Sequence, residues 1–211
     1  MNTMTLRTEG LGKAWGAFHA NSDISLNFTP GARHALIGPN GAGKTTFINL
    51  LNGSLAPTSG RVFLGDEDIT ALPQHARVKR GMTRTFQINT LFNGLTVIES
   101  VLLAICEREG RQLVWTRTVA QQTDLVDEAM ALLGTLKLAQ DANTITSNLP
   151  YGRQRLVEIA LALATKPKVL LLDEPAAGIP SAESAELFEV IAKLPRDVTI
   201  IFIEHDMGLV F

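Results

Sequence analysis

The residues best suited to carry out chemistry form the glycine-rich segment Gly38-Pro-Asn-Gly-Ala-Gly-Lys44-Thr45. This segment fits the P-loop pattern G-x-x-x-x-G-K-[S/T], in which glycines let backbone N–H groups wrap around phosphates. Lys44 is expected to hold the β- and γ-phosphates, and the Thr45 hydroxyl to ligate magnesium. A purely structural glycine turn is the alternative, but a chance match arises in fewer than about 1% of sequences of this length. The residues predicted to contact nucleotide are Gly38, Pro39, Asn40, Gly41, Ala42, Gly43, Lys44, Thr45 and Thr46.

Two carboxylates, Asp173 and Glu174, follow the wholly apolar run at residues 169–172. Ligands of open α/β sheets bind beyond the carboxyl ends of the strands. Asp173 is expected to orient magnesium, and Glu174 to act as general base toward the attacking water. Taken alone, such a pair is more often solvated loop charge. The upstream phosphate loop favours the catalytic interpretation.

One histidine, His205, comes directly after a second apolar run at residues 198–203. If this run is a parallel strand, His205 emerges at the same edge of the sheet as the two carboxylates. It is then placed to donate a hydrogen bond to the γ-phosphate and to respond to its loss, whereas an ordinary structural role is the alternative. The remaining histidines have no comparable placement and are interpreted as structural.

The predicted elements form an α/β framework around these residues. Residues 33–37 precede the glycine loop as a buried-type strand, and residues 45–51 follow it as a helix. A helical stripe stopped by Pro195 separates the two apolar strands, which implies a parallel crossover. Alternating segments at 4–8, 23–28 and 61–65 predict a small antiparallel sheet.

A helical region extends from about residue 87 to 165. Thr96 and Glu99 have capping-box spacing, and a second apolar stripe occupies one helical face. This region is predicted to be an inserted helical lobe. The second stripe comprises Leu125, Ala129, Leu132, Leu133 and Leu136.

Composition limits the partners. The formal net charge of −2 offers no electrostatic argument for nucleic acid. The single cysteine, Cys106, lies in an apolar run, is expected to be buried, and allows no disulfide. No apolar stretch reaches the roughly 18–20 residues that span a bilayer. Any membrane role must therefore come through partners, and the chain is expected in the cytoplasm.

The order of these motifs, with Gln87 in Arg84-Thr-Phe-Gln87 and the segment Leu149-Pro-Tyr-Gly-Arg-Gln-Arg155, resembles the ATP-binding subunits of ABC transporters. The resemblance covers essentially the whole chain. It implies a RecA-like P-loop NTPase core with an antiparallel β subdomain and an inserted helical lobe. The core is expected at 1–87 and 166–211 and the lobe, with the signature segment, at 88–165.

Finer features are similar to the branched-chain amino-acid importers of that family. They include Arg84-Thr-Phe-Gln87, Tyr151-Gly152, Pro175-Ala-Ala-Gly178 and Ile203-Glu-His-Asp-Met207. Urea-importer and lipopolysaccharide-exporter ATPases share part of this pattern. ABC-type ATPases of DNA repair or translation are a further alternative, but their usual coiled-coil insertion, zinc cysteines or fused cassettes are not evident. A P-loop kinase or GTPase leaves the signature segment unexplained.

The resemblance also implies roles for single residues. Trp15 corresponds to the aromatic residue that stacks on adenine, with a core tryptophan as the alternative. Gln87 is implied to contact magnesium and the attacking water. Residues 88–104 are implied to form a groove for a permease helix, although Leu91, Phe92 and Leu95 are equally consistent with lobe core.

Several partners follow from the same resemblance. A second ATP-binding subunit, identical or paralogous, is expected to pair head to tail with this one, so that Tyr151 and Gly152 contact its nucleotide in trans. Two transmembrane permeases are expected, together with an indirect partner, a periplasmic or extracellular solute-binding protein. The assembly is expected at the cytoplasmic face of the cell (inner) membrane.

Three departures from the family pattern affect these expectations. Pro150 and Tyr151 replace the usual signature serine and glycine, so the trans contact is expected to rely on Gly152 and its helix N-terminus. The family's aspartate is not evident in Gly178-Ile-Pro-Ser181. The family continues with further strands and a helix beyond Phe211. The C-terminal end is therefore expected to be truncated, with an uncovered sheet edge.

Overall fold

The computed structural model describes residues 4–85, 91–111 and 123–204. These residues form eight strands and six α-helices, which are interspersed along the chain. In chain order they are β1 (Leu6–Trp15), β2 (Phe18–Phe28), β3 (Arg33–Ile37), α1 (Lys44–Asn52), β4 (Ser59–Leu64), β5 (Glu67–Asp68), α2 (Gln74–Lys79), β6 (Met82–Arg84), α3 (Val97–Arg108), α4 (Thr123–Thr135), α5 (Tyr151–Ala164), β7 (Val169–Asp173), α6 (Ser181–Lys193) and β8 (Thr199–Glu204).

The chain divides into two compact units. The first comprises Met1–Arg84, Pro167–Pro175 and Pro195–Phe211, and the second comprises Thr85–Lys166 and Ala176–Leu194. The second unit includes α6, because this helix packs against α5. The sequence pattern assigns residues 176–194 to the core instead, so the functional domain boundaries stay a prediction.

The antiparallel sheet of the first unit has the strand order β2-β1-β4-β5. All three pairings are antiparallel, which confirms the predicted small sheet. The strands β1 and β2 run further than their alternating patterns indicate. They end as a hairpin in which Trp15 lies opposite Phe18.

The second sheet of this unit is parallel, with the order β3-β8-β7-β6. The predicted strand at 33–37 has the bounds of β3, and the apolar runs become β7 and β8. Both β7 and β8 are almost wholly buried, as expected for central parallel strands. The mixed α/β fold is therefore confirmed.

Helix α1 connects the two sheets through a shared core. Its Ile48 and Leu51 are fully buried and belong to the same hydrophobic cluster as Leu6 of β1 and as Leu171 and Ile201 of the parallel sheet. Burying such a side chain stabilises the fold by about 1.5–3 kcal/mol. The helix that follows the glycine loop is thus fixed by apolar contacts on both sides.

The end of α1 is capped by a buried arginine. Arg77 of α2 is 1% exposed, and its guanidinium donates to the carbonyl oxygens of Leu50 at 2.8 Å, Thr70 at 2.8 Å and Leu72 at 2.9 Å. It also donates to the carbonyl of Leu51. Burial lowers the pKa of Arg77 to about 10, so it stays cationic at neutral pH. A positive charge at a helix C-terminus is favourable.

The helical unit is built around α3, α4 and α5. The predicted capping box is present, because the Thr96 hydroxyl accepts from the Glu99 N–H and the Glu99 carboxylate accepts from the Thr96 N–H. Cys106 is buried in α3, which confirms its expected role as a small apolar residue. Four members of the second apolar stripe are buried, and Leu132 is partly buried.

Candidate functional site

The glycine loop occupies residues 38–43, between β3 and α1. Gly41 and Gly43 both have φ of +83°, a backbone conformation that residues with side chains rarely adopt. The Lys44 ammonium lies against the loop, donating to the carbonyl oxygens of Gly38 at 2.6 Å and Pro39 at 3.0 Å. The strand, glycine loop and helix therefore follow one another in the predicted order, and the contact of Lys44 with phosphate stays a prediction.

Gly43 is the N-cap of α1 and has no side chain to occupy the first N–H groups of the helix. A Cβ at this position would lie 2.4 Å from the Ala20 carbonyl oxygen and 2.9 Å from the Asn21 amide nitrogen. The backbone of β2 at Ala20 therefore packs directly against Gly43 and leaves no room for a side chain there. The exposed helix N-terminus is suited to bind an anion such as phosphate.

Replacing Gly43 by alanine is expected to damage the loop more than replacing Gly41. Both changes strain a positive φ, at roughly 1 kcal/mol each. Only Gly43→Ala also meets β2, whereas a Cβ on Gly41 has nothing within 4 Å. Thermal unfolding and ATP titration of the two variants would measure this difference, with about 1–3 kcal/mol of additional destabilisation at Gly43. Equal effects would contradict the close approach.

The two predicted carboxylates lie at the carboxyl edge of the parallel sheet. Asp173 ends β7 and pairs with Ile203 of β8, which in turn pairs with Leu36 of β3. Neighbouring strands are about 4.8 Å apart, so Asp173 lies about 10 Å across the sheet from the strand that leads into the glycine loop. The phosphate loop and the Asp-Glu pair therefore share one edge.

Glu174 has a strained backbone, with φ of +46°. A positive φ is uncommon for residues with a side chain, and such strain is concentrated at functional positions. Asp23, Lys137 and Lys166 share this conformation. Aspartate adopts it more readily than most residues, and the two lysines lie in turns directly after helices, where it is ordinary. The strain at Glu174 supports a functional role that its sequence context alone does not reveal.

Arg84 contacts the site although the sequence motifs assign it no role. It ends β6, and its guanidinium forms an ion pair with Asp173. The same guanidinium donates to the Asn49 amide oxygen of α1 at 2.6 Å. No local pattern signals this bridge, because its three members lie far apart in the chain.

The residues present fit magnesium. Thr45 lies in the first turn of α1 and Asp173 ends β7, so a hydroxyl and a carboxylate are available, and magnesium prefers such oxygen ligands together with phosphate oxygens and water. The described part of the chain contains no group of three or more His, Cys, Asp or Glu side chains that could hold a metal. Phosphate oxygens and water would complete the coordination shell.

Two predicted site residues, Gln87 and His205, lie outside the described residues. Strand β8 ends at Glu204, which pairs with Ile37 of β3. In the chain, His205 thus follows a strand placed between the glycine-loop strand and the Asp-Glu strand. The roles of Gln87 and His205 stay predictions.

Trp15 is exposed at the end of β1, with 49% of its surface accessible. This exposure excludes the alternative of a core tryptophan. The indole stacks on Phe18, with ring centroids 6.4 Å apart, and the Lys13 ammonium lies 5.5 Å from it. An exposed aromatic surface of this kind is suited to stacking with a nucleotide base, so Trp15 stays the predicted adenine contact.

The signature segment begins helix α5. Pro150 is its N-cap, and Tyr151 is 41% exposed. A Cβ on Gly152 would lie 2.6 Å from a carboxylate oxygen of Glu183, a residue that no sequence motif includes. A Cβ on Gly178 would lie 3.4 Å from the Tyr151 ring. Both glycines therefore permit close packing between the start of α5 and residues 178–183.

The helix α5 also carries a buried ion pair. Arg155 donates to the Glu158 carboxylate at 2.9 Å, and their side chains are 8% and 5% exposed. Burial raises the pKa of Glu158 to about 7, although the neighbouring guanidinium opposes this shift. Arg155 also lies 5.6 Å from the Tyr151 ring.

Glu158 is expected to make stability depend on pH. Its folded pKa lies above the ordinary value of 4.5, so the folded state binds the proton more tightly than the unfolded state. The free energy of unfolding therefore falls as the pH rises from about 4.5 to 7, by roughly 1–3 kcal/mol. Denaturant unfolding at several pH values should show that Glu158→Gln removes this slope. Parallel pH curves for both proteins would disprove it.

The segment predicted to receive a permease helix is only partly described. Leu91 is 6% exposed and packs in the helical unit, whereas Phe92 is 50% exposed. The Phe92 carbonyl accepts from the Thr146 hydroxyl at 2.8 Å. The core interpretation therefore applies to Leu91, and Phe92 is available to a partner. No helix among the described residues is long and apolar enough to cross a bilayer.

Comparisons with known sequences bear on the family of this chain. A family model described as "ABC transporter" matches residues 21–177. The high-affinity branched-chain amino acid transport ATP-binding protein LivG of Escherichia coli is 40% identical, covering 100% of this chain and 85% of that protein. BraF of Pseudomonas aeruginosa, a protein with the same description, is 37% identical with the same coverage.

Solved structures have the same fold. An ATP-binding cassette of an ABC transporter, MJ1267 in its ADP conformation, has a TM-score of 0.84 and 32% identity, covering 98% of this chain and 83% of that one. The cbiO1 protein of Clostridium perfringens, part of the transporter complex cbiONQ, has a TM-score of 0.82 and 26% identity, with coverage of 97% and 80%.

Proposed function

This chain belongs to the ABC transporter family as one of its ATP-hydrolysing subunits, and we propose that it powers the import of branched-chain or related amino acids. The observation that carries the proposal is the 40% identity to E. coli LivG over the whole chain. The sequences Arg84-Thr-Phe-Gln87 and Tyr151-Gly152, which resemble this importer subgroup, support it further.

In the proposed reaction the nucleotide binds at the carboxyl edge of the parallel sheet. Backbone N–H groups of the glycine loop and the α1 N-terminus face the phosphates, and the Lys44 ammonium exchanges its loop carbonyls for phosphate oxygens. Glu174 accepts a proton from the attacking water. Thr45, Asp173 and Gln87 would hold magnesium, which would supply positive charge to balance the β- and γ-phosphates. His205 contacts the γ-phosphate, and Trp15 stacks on the adenine.

One subunit is not sufficient in this proposal. A second ATP-binding subunit, identical or paralogous, pairs head to tail, so that Tyr151 and Gly152 of one chain approach the nucleotide of the other. The α5 N-terminus suits this role, because N–H groups at a helix N-terminus attract anions. Closing and opening of the pair are relayed to two permeases at the cytoplasmic face of the membrane, with a solute-binding protein on the other side.

Isolation of the native complex tests the proposal. The tagged protein would be extracted gently from membranes, and the co-purifying proteins identified by mass spectrometry. Two polytopic permeases and a second ATPase are expected, together with loss of labelled leucine uptake when the gene is deleted. Co-purification of nucleic-acid machinery, with normal uptake, would contradict it.

A further inference from the structure

We propose that Arg84 is a positioning residue of the nucleotide site, which orients Asp173 and makes metal binding depend on the phosphates of the nucleotide. The inference rests on the proposed function. It assigns a purpose to a residue that neither the glycine loop nor the Asp-Glu strand contains. Arg84 bridges Asn49 and Asp173, and this bridge fixes the orientation of the Asp173 carboxylate. Its positive charge also offsets the negative charge of Asp173, which lowers the attraction of the site for a free cation.

The bridge joins the two elements that carry the site. One Arg84 nitrogen donates to the Asn49 amide oxygen on α1 at 2.6 Å, and the other pairs with one carboxylate oxygen of Asp173 at the end of β7. The side chains of Arg84 and Asp173 are each 17% exposed, so solvent screens the pair only partly. We assign the second oxygen of Asp173 to the water shell of the metal.

The planar guanidinium is the group that can make this bridge. Its N–H donors form a fixed fork, so contact with Asn49 sets the angle at which Asp173 is held. Lysine would supply the same charge as a single flexible point. Arg84 of β6 lies opposite Leu171 of the parallel strand β7. The backbone of Arg84 is therefore two residues short of Asp173 along β7, and its side chain spans this distance at the same edge of the sheet.

The charge of Arg84 opposes free metal. Lys44 and Arg84 are cationic, whereas Asp173 and Glu174 are anionic, so these four groups sum to no net charge at neutral pH. A divalent cation alone is therefore only weakly attracted, since the nearest carboxylate is already paired. The negative phosphates of ATP reverse this balance. Metal then enters with the nucleotide rather than ahead of it.

Three variants separate charge from geometry: Arg84→Gln, Arg84→Lys and Asn49→Ala. Mn²⁺ binding to the nucleotide-free protein would be measured by electron paramagnetic resonance, and ATPase turnover by phosphate release. Arg84→Gln should tighten Mn²⁺ binding at least about threefold, because it removes the opposing charge. Arg84→Lys and Asn49→Ala keep that charge and should leave Mn²⁺ affinity unchanged. All three should lower turnover at least about fivefold, because the bridge is lost.

Each outcome decides the inference. Unchanged or weaker Mn²⁺ binding in Arg84→Gln overturns it, because a purely structural arginine would give that result. Wild-type turnover in Arg84→Lys and Asn49→Ala also overturns it, and this arm stands even where Arg84→Gln does not fold. Failure of the unmutated protein to bind ATP with Mg²⁺ would instead contradict the proposed function.

Discussion

Glu174→Gln is expected to abolish most ATP hydrolysis while ATP binding persists. The change keeps the shape of the side chain but removes the group that accepts a proton from water. Loss of general-base catalysis lowers turnover by at least about a hundredfold. The strained φ of +46° at Glu174 and its place after Asp173 at the sheet edge support this role. Phosphate release and ATP titration measure the two quantities separately.

The matched control for this prediction is Glu189→Gln. Glu189 is an exposed carboxylate of α6 that pairs with Lys193 and, at 3.3 Å, with Lys137. Removing its charge should leave hydrolysis within about twofold of the unmutated rate, because exposed ion pairs contribute little. Near-normal turnover in Glu174→Gln would show that another group is the base.

Arg77→Met is expected to cause the largest loss of stability. Methionine fills much of the volume but supplies no donor, so the carbonyls of Leu50, Leu51, Thr70 and Leu72 lose their buried partner. Each carbonyl left without a buried partner costs about 1–3 kcal/mol, and water that enters the site offsets part of this cost. A loss of about 3–5 kcal/mol in the free energy of unfolding follows, visible as a fall in Tm of about 10 °C.

Arg61→Met is the comparison for that loss. Arg61 lies in the same unit, in strand β4, but its side chain is 67% exposed. Its ion pair with Asp68 is long, because the guanidinium nitrogen is 4.0 Å from the carboxylate oxygen. Its replacement should change stability by less than about 0.5 kcal/mol. Similar losses in Arg61→Met and Arg77→Met would mean that the buried guanidinium does not cap α1.

Local patterns made much of the fold predictable. The strand at 33–37 ends in the apolar residues Ala35, Leu36 and Ile37 directly before a glycine turn, although it is only partly buried. The Thr96–Glu99 capping box depends on residues only three positions apart. Both signals are complete within a few residues. The full length of the β1–β2 hairpin was not predicted, because register shifts between Thr8 and Ala14 interrupt its alternation.

The site was predictable where one motif contains it. The glycine loop and the Asp-Glu pair are such motifs, and the structure brings both to one edge of the parallel sheet. Arg84 and Glu183 could not be assigned from sequence, because their contacts depend on how distant segments pack. The burial of the Arg155–Glu158 ion pair could not be predicted either, because charged residues in the polar first turns of a helix usually face solvent.

The Arg77 guanidinium at the C-terminal end of α1 connects nucleotide binding to the stability of this helix. The helix has nine residues, about 13.5 Å in length, with the phosphate loop at one end and the Arg77 guanidinium at the other. An anion at its N-terminus and a cation at its C-terminus both align with the helix dipole. Nucleotide occupancy and the distant cap therefore contribute to the stability of one helix. Ligand-induced protection from hydrogen exchange should accordingly extend through α1 to the carbonyl end, well beyond the atoms that touch phosphate.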